Sequence, residues 1–389
     1  MALKVYVDRM SPPSRAVLLF CKVNGIEFEE ILLDILKNKH TTPEYKEINP
    51  MCQLPAIVDG EFKLFESHAI LIYLSCAFPG VASHWYPSDL FKRSKLHSVL
   101  DWHHTNLRLG SGGLLLNSIV GQIKGNPPNV EAAKEGEKLL VKSLTKLENF
   151  WLKDGQFLVG SSQPSIADIS LVCEIMQLEC LGKLSLRSLS AICEGKNKLK
   201  LQNWSLLECI SPEAHAILIY ICCAFPGVAS HWYPGDVSKR AKIHSVLDWH
   251  HTNLRPGSAG FVFNTILGPL RGIPSSPETI KENEKMLLRS LSKLENFWLK
   301  DGRFLVGSSQ PSIADISLVC EIMQLELLTE KDHDRILSPY KKVLQWVEDT
   351  KSATAPHFDE VHRLLFRAQK KFHEQMAAQS GKSELKSKL

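Results

Sequence analysis

The chain has 389 residues, with 46 Lys and Arg against 42 Asp and Glu, a formal net charge of +4. Hydrophobic residues make up 44% and charged residues 23%, the balance of a globular protein with chain enough for two to three domains. So small an excess of charge argues against a strong nucleic-acid or membrane-surface partner, and no apolar run is long enough to span a bilayer. No signal peptide is read. The 10 cysteines form no C-x-x-C pair, and several fall in apolar helical patterns, as reduced, buried thiols do. No metal site is expected: His103-His104 and His250-His251 are sequence neighbours, and neighbours point apart on a helix.

In chain order, Leu3–Val7 reads as a short strand. After Met10-Ser11-Pro12-Pro13-Ser14, RAVLLFCKVNG has helical spacing and closes at Asn24-Gly25. Phe28–Leu33 is a second strand, and Thr41-Thr42-Pro43-Glu44 offers a capping residue followed by Pro, a helix start. Pro55–Val58 and Phe62–Phe65 are strands joined by an Asp-Gly turn. Glu66-Ser67-His68 opens a helix that stops at Pro79-Gly80. The order β-α-β-α-β-β-α predicts a small α/β sandwich over 1–82. Everything afterwards is helical, with amphipathic stretches at Lys92–Asn106 and Ala132–Leu152. Ser165 and Asp168, like Ser312 and Asp315, have the spacing of a capping box, a structural device.

The helical part occurs twice. His68–Glu179 and His215–Glu326 align without a gap, and about three in four positions are identical. The helical domains are therefore placed at 89–179, truncated, and 215–372, which carries closing helices that occur once. A linker covers 180–214, and a polar tail covers 373–389. Ser387-Lys388-Leu389 is an S-K-L address of the kind read by the peroxisomal import receptor, so a peroxisomal location is expected, with cytosol as a second.

The sharpest candidate site surrounds Ser11, a hydroxyl placed where a strand ends and a helix begins. A helix N-terminus favours an anion, and a thiol held there with a hydroxyl hydrogen bond is favoured as thiolate. The alternative is that Ser11 or Ser14 only caps the helix.

Four further motifs, KVYVDRMSPPSRAVLLFCKVNGI, EINPMCQLPAIVDG, LFESHAILIYL and PSIADISLVCE, resemble those of a theta-class glutathione transferase of plant type. The resemblance covers 1–179 and resumes at 215. It implies a thioredoxin-like N-terminal domain that binds glutathione and an all-α C-terminal domain, here in two tandem copies. It implies that Ser11 stabilises the glutathione thiolate, with Pro12 beside it. It places His40 and Thr41 at the glycyl end, Gln53, Leu54 and a cis Pro55 at the cysteinyl part, and Glu66 and Ser67 at the γ-glutamyl end. Trp102, His103 and Arg108 are candidates for an electrophile pocket, with core packing as the alternative. No cysteine stands at position 11, which argues against thiol-transferase relatives.

The implied chemistry is conjugation of glutathione to a hydrophobic electrophile, or reduction of an organic hydroperoxide. Glutathione is a co-substrate and no bound cofactor is expected; the implied assembly is a homodimer. Two readings compete: a non-catalytic glutathione-binding protein, and a fusion of ordinary single-copy transferases. Chain proximity predicts that the first copy docks on the N-terminal domain. The apolar helix HAILIYICCAFPGV of the second copy, which has no sheet before it, then becomes an exposed patch.

Overall fold

The computed structural model describes residues 2–121, 127–178, 214–270, 272–273 and 275–370. The linker over 180–213 and the tail with Ser387, Lys388 and Leu389 lie outside the described residues. The chain forms two compact units, Met1–Asp248 and Trp249–Leu389, so the first two helices of the second repeat fall in the first unit.

The first unit opens with β1 (Leu3–Val7), whose Leu3, Val5 and Val7 are buried in strict alternation. α1 (Pro12–Val23) starts on two prolines and ends at Asn24, with Ala16, Val17, Phe20 and Cys21 in the core. β2 (Phe28–Leu32) pairs parallel with β1, and a short α2 (Pro43–Lys46) is capped by Thr42, which accepts from Tyr45 N–H. β3 (Ala56–Asp59) and β4 (Phe62–Phe65) form a hairpin, closed by Gly60 at φ +61°. The sheet order is β2-β1-β3-β4, with β3 antiparallel to β1. α3 (Ser67–Ala77) follows, buried from His68 to Tyr73 and at Leu74.

The first repeat continues with α4 (Leu90–Trp102), a π-helical turn over His103–Leu107, and α5 (Arg108–Leu115). α6 (Val130–Lys146) crosses α5 so closely that a Cβ on Gly110 would stand 2.5 Å from the Leu140 amide nitrogen. α7 (Ile166–Met176) carries the expected capping box, with Ser165 N–H donating to Asp168 Oδ2 at 2.8 Å. It packs on α1 and α3, so the first copy docks on the N-terminal sandwich as expected. α8 (Ala214–Ala224) packs on α4, and α9 (Val237–Trp249) follows.

The second unit repeats the later helices: α10 (Arg255–Val262), α11 (Pro277–Lys293) and α12 (Ile313–Met323). It adds α13 (Glu330–Leu337), α14 (Lys341–Ala353) and a helix over 357–370. Trp346, fully buried, donates its indole N–H to Asp315 Oδ1 at 2.8 Å, tying the closing helices to the second capping box. Among the described residues no helix is long and apolar enough to cross a membrane. Cys21 and Cys173 are buried, whereas Cys76 and Cys320 are exposed, because they sit on the outer faces of α3 and α12. Burial pushes the Cys21 thiol up to about 12.

Candidate functional site

Sheet topology gathers the candidate residues. In the ladder, Tyr6 faces Ala56, and Ala56 faces Phe65. The end of β1, the start of β3 and the end of β4 therefore lie side by side. β2, parallel to β1, ends at the same edge. Four loops leave that edge, carrying Ser11, His40 with Thr41, Gln53 to Pro55, and Glu66 with Ser67.

Ser11 is the N-cap residue of α1, with φ −77° and ψ 119°, yet its side chain makes no capping hydrogen bond. Ser14, fully buried within α1, accepts from Asp8 N–H at 3.4 Å, a bond to the loop before the helix and not a cap. Pro12 opens the helix beside Ser11. Two residues that the sequence reading passed over hold this loop. Asp8 accepts from Met10 N–H and Ile35 N–H, both at 2.8 Å, joining the loops after β1 and β2. Arg15 donates to the Arg9, Met10 and Cys173 carbonyls at 3.1, 3.0 and 2.9 Å, clamping the Ser11 loop to α7. A charged residue at each end of the S-P-P segment was the available signal.

His40, half-buried, and Thr41, exposed, occupy a single 3-10 turn over Lys39–Thr41, entered through Asn38 at φ +55°. The Leu54-Pro55 peptide is cis. The Gln53 carbonyl ahead of it accepts from Tyr45 Oη at 2.6 Å and from Asn49 Nδ2 at 2.7 Å. Cys52 adopts φ +57°.

Glu66 is the N-cap of α3 at φ +72°, ψ 120°, and its carboxylate caps nothing. Holding a non-glycine residue there costs on the order of 1–3 kcal/mol. Burial pushes its carboxyl up to about 7, against the pull of the nearby Arg108 charge.

The proposed pocket residues divide. Trp102 and His103 are 3% and 4% exposed, so neither lines an open pocket. Trp102 packs on Trp151, and its helix passes into the π-helical turn, where His103, His104 and Leu107 are buried. Arg108 is partly exposed and donates to Glu174 Oε2 at 3.0 Å. Although burial disfavours its charge, Glu174 is held down at about 2 by Arg108, His103 and Ser111.

His103 in turn hydrogen-bonds His68 at 3.1 Å, and the His68 and His104 rings lie 4.3 Å apart. Adjacent histidines therefore do not diverge here: the start of α3 brings His68 between them. Ligand atoms of His68, His104 and Asp248 lie within 4.8 Å of one another, a donor set suited to a divalent metal of the zinc type.

Residues 1–75 match the family described as glutathione S-transferase, N-terminal domain, and residues 277–349 match glutathione S-transferase, C-terminal domain. Glutathione S-transferase T1 of Arabidopsis thaliana is 39% identical, over 96% of this chain and 92% of that protein. Glutathione S-transferase theta-2 of Mus musculus is 41% identical over 47% of this chain and 74% of its own length. The crystal structure of human glutathione transferase theta-2 with glutathione and an unknown ligand aligns at TM-score 0.46 and 33% identity, covering 61% of this chain and 96% of that one. The chain belongs to the theta class of the glutathione S-transferase family.

Proposed function

We propose that the protein is a glutathione transferase in which Ser11 holds the glutathione thiolate. The observation that carries this reading is a hydroxyl placed at the N-terminus of α1 but unspent on capping. A thiolate there meets the Ser11 O–H and the positive end of the helix, which together favour the ionised sulfur. Glu66 takes the γ-glutamyl ammonium and Ser67 the carboxylate at the start of α3. Gln53, Leu54 and Pro55 present backbone to the cysteinyl part, and His40 with Thr41 meets the glycyl carboxylate. Arg108 lies near enough to Glu66 for its charge to act there.

Two outcomes follow for the bound thiolate. It attacks an electrophilic carbon, forming the S–C bond and expelling a leaving group or adding across an activated double bond. Alternatively it attacks the terminal oxygen of a hydroperoxide: the O–O bond breaks, the alcohol departs with a proton, and a second glutathione discharges the sulfenic acid as disulfide and water. The S-K-L tripeptide would deliver that peroxidase to an organelle that produces hydroperoxides. The repeat in the sequence is read as a tandem duplication of the helical domain.

The test is the absorbance of enzyme-bound glutathione thiolate against pH, with conjugation and cumene hydroperoxide turnover on the same samples. Ser11→Ala is expected to return the thiol pKa toward its solution value and to lower turnover about a hundredfold. A normal thiol pKa in the wild type, with glutathione bound, would favour a non-catalytic binding protein. Glu66→Gln is expected to weaken glutathione by ~2 kcal/mol. Because the empty site holds Glu66 at about 7 and the ammonium selects its ionised form, wild-type binding tightens as pH rises through 7, and the variant loses that dependence.

A further inference from the structure

Contacts between the first repeat and the first two helices of the second come in reciprocal pairs. Asp248 Oδ2 accepts from Ala69 N–H at 3.0 Å, and Asp101 Oδ2 accepts from Ala216 N–H at 3.1 Å. Asp101 and Asp248 are equivalent positions of the repeat, as are Ala69 and Ala216. His68 lies 3.9 Å from Asp248, and its equivalent His215 lies 3.8 Å from Asp101.

Between these pairs, equivalent residues meet each other. The rings of His97 and His244 stack at 5.2 Å, within 1° of parallel. Tyr86 and Tyr233 each hydrogen-bond the histidine of their own repeat, at 2.9 and 2.8 Å. Arg93 and Arg240 cover the two tyrosine rings at 4.7 and 4.4 Å. A residue touching its own equivalent, flanked by crossed pairs, marks a two-fold axis. Between separate chains this arrangement is an isologous dimer interface; here both halves belong to one chain.

The symmetry breaks at the site. Ser245 Oγ donates to the Phe65 carbonyl at 2.9 Å, across 180 residues. Its equivalent, Ser98, bonds back to Ser94 on its own helix at 3.1 Å. Phe65 ends β4, directly ahead of α3, whereas the residues directly ahead of α8 lie outside the described ones. Ser245 and Asp248 thus grip both flanks of the Glu66–Ser67 turn, the carbonyl before it and the amide two residues after. Both are buried, at 2% and 7% exposure. The turn they hold is the one in which Glu66 adopts φ +72°.

We infer that the second repeat serves as a built-in partner subunit: it closes a two-fold interface within one chain, and Ser245 and Asp248 are positioning residues for Glu66 and Ser67. The positioning half rests on the glutathione reading of that turn, whereas the interface half does not.

Light scattering on the full chain at micromolar concentration tests the interface, with the mass of one chain expected and the mass of two overturning it. Calorimetric titration with glutathione then compares Ser245→Ala with Ser98→Ala. The first is expected to bind about fivefold more weakly, the second like wild type, and Ser245→Thr, which keeps the hydroxyl, to recover. Equal affinities for the two alanine variants would overturn the positioning role. If Ser245→Ala does not fold, Ser245→Cys provides the same comparison. Failure of the wild type to bind glutathione would overturn the glutathione reading and the positioning role together, leaving the interface to be judged on mass alone.

Discussion

α3 and α8 are nearly the same peptide in two settings. Both read HAILIY, and both are apolar on every face, a pattern that needs neighbours on two sides. α3 has them: β3, β4, α1 and α7 on one side, and the Asp248 cap of α9 on the other. Ile70 and Leu74 are fully buried. Among the described residues α8 packs chiefly on α4, and the equivalents Ile217 and Ile221 are 53% and 41% exposed. Burial here belongs to the setting, and a duplicated sequence does not bring its setting with it. The exposed patch expected from the sequence is present, although α8 still finds one surface to cover it.

The largest expected effect tests this contrast directly. Ile70→Ala should cost ~3 kcal/mol in urea unfolding, and Ile217→Ala less than ~0.5 kcal/mol. Similar losses would mean that α8 is buried as deeply as α3. The helix crossing offers a second contrast. A Cβ on Gly136 would stand 2.5 Å from the Leu114 amide nitrogen, whereas the equivalent Asn283 accepts from Asn264 Nδ2 at 2.8 Å. Gly136→Ala is expected to lower stability by ~2 kcal/mol through backbone displacement, and Asn283→Ala by ~1 kcal/mol through a lost hydrogen bond.

The smallest difference is expected where the copies become equivalent. Burial, with the Arg93 and Arg240 charges, pushes His97 down to about 3, and burial with its neighbours pushes His244 well below its ordinary value. Histidines depressed in the folded state bind fewer protons there than when unfolded, so stability is lost as pH falls below 6.5. Asp248, pushed up by burial and by Glu66 and Asp101, works in the opposite sense, so the histidine share is read by difference. His97→Gln and His244→Gln should each remove ~2 kcal/mol of the loss between pH 7 and pH 5, and to the same extent. Unequal effects would show that the two-fold relation is only approximate in energy.

The N-terminal sandwich was legible because its signals are local. Alternation gave β1, prolines gave the starts of α1 and α2, and Asp59-Gly60 gave the hairpin. Ser11 was placed by the same turns, while the roles of Glu66 and Ser67 were implied by the family resemblance. The π-helical turn at His103–Leu107 was not legible, since an uninterrupted helical pattern carries no mark of a changed pitch. Trp102 and His103 were candidates for a pocket through the family resemblance, and the structure takes the alternative, core packing. Asp8 and Arg15 looked like ordinary loop charges, because their partners are backbone groups. Ser245 and Asp248 were hidden for another reason: they act on residues 180 and 179 positions away, a distance no periodicity spans. Asp248 did leave one trace, a carboxylate beside Trp249 and two histidines in a helix that is otherwise well buried.

The stacked pair His97 and His244 lies on a two-fold axis that never leaves the chain. Two halves joined by a tether meet at an effective concentration fixed by the tether, not by how much protein a cell holds. Dilution therefore does not pull them apart, and exchange with related chains would have to displace a half already in place. A protein built this way is whole at any abundance and gives up the mixed assemblies open to relatives that must find their partners in solution.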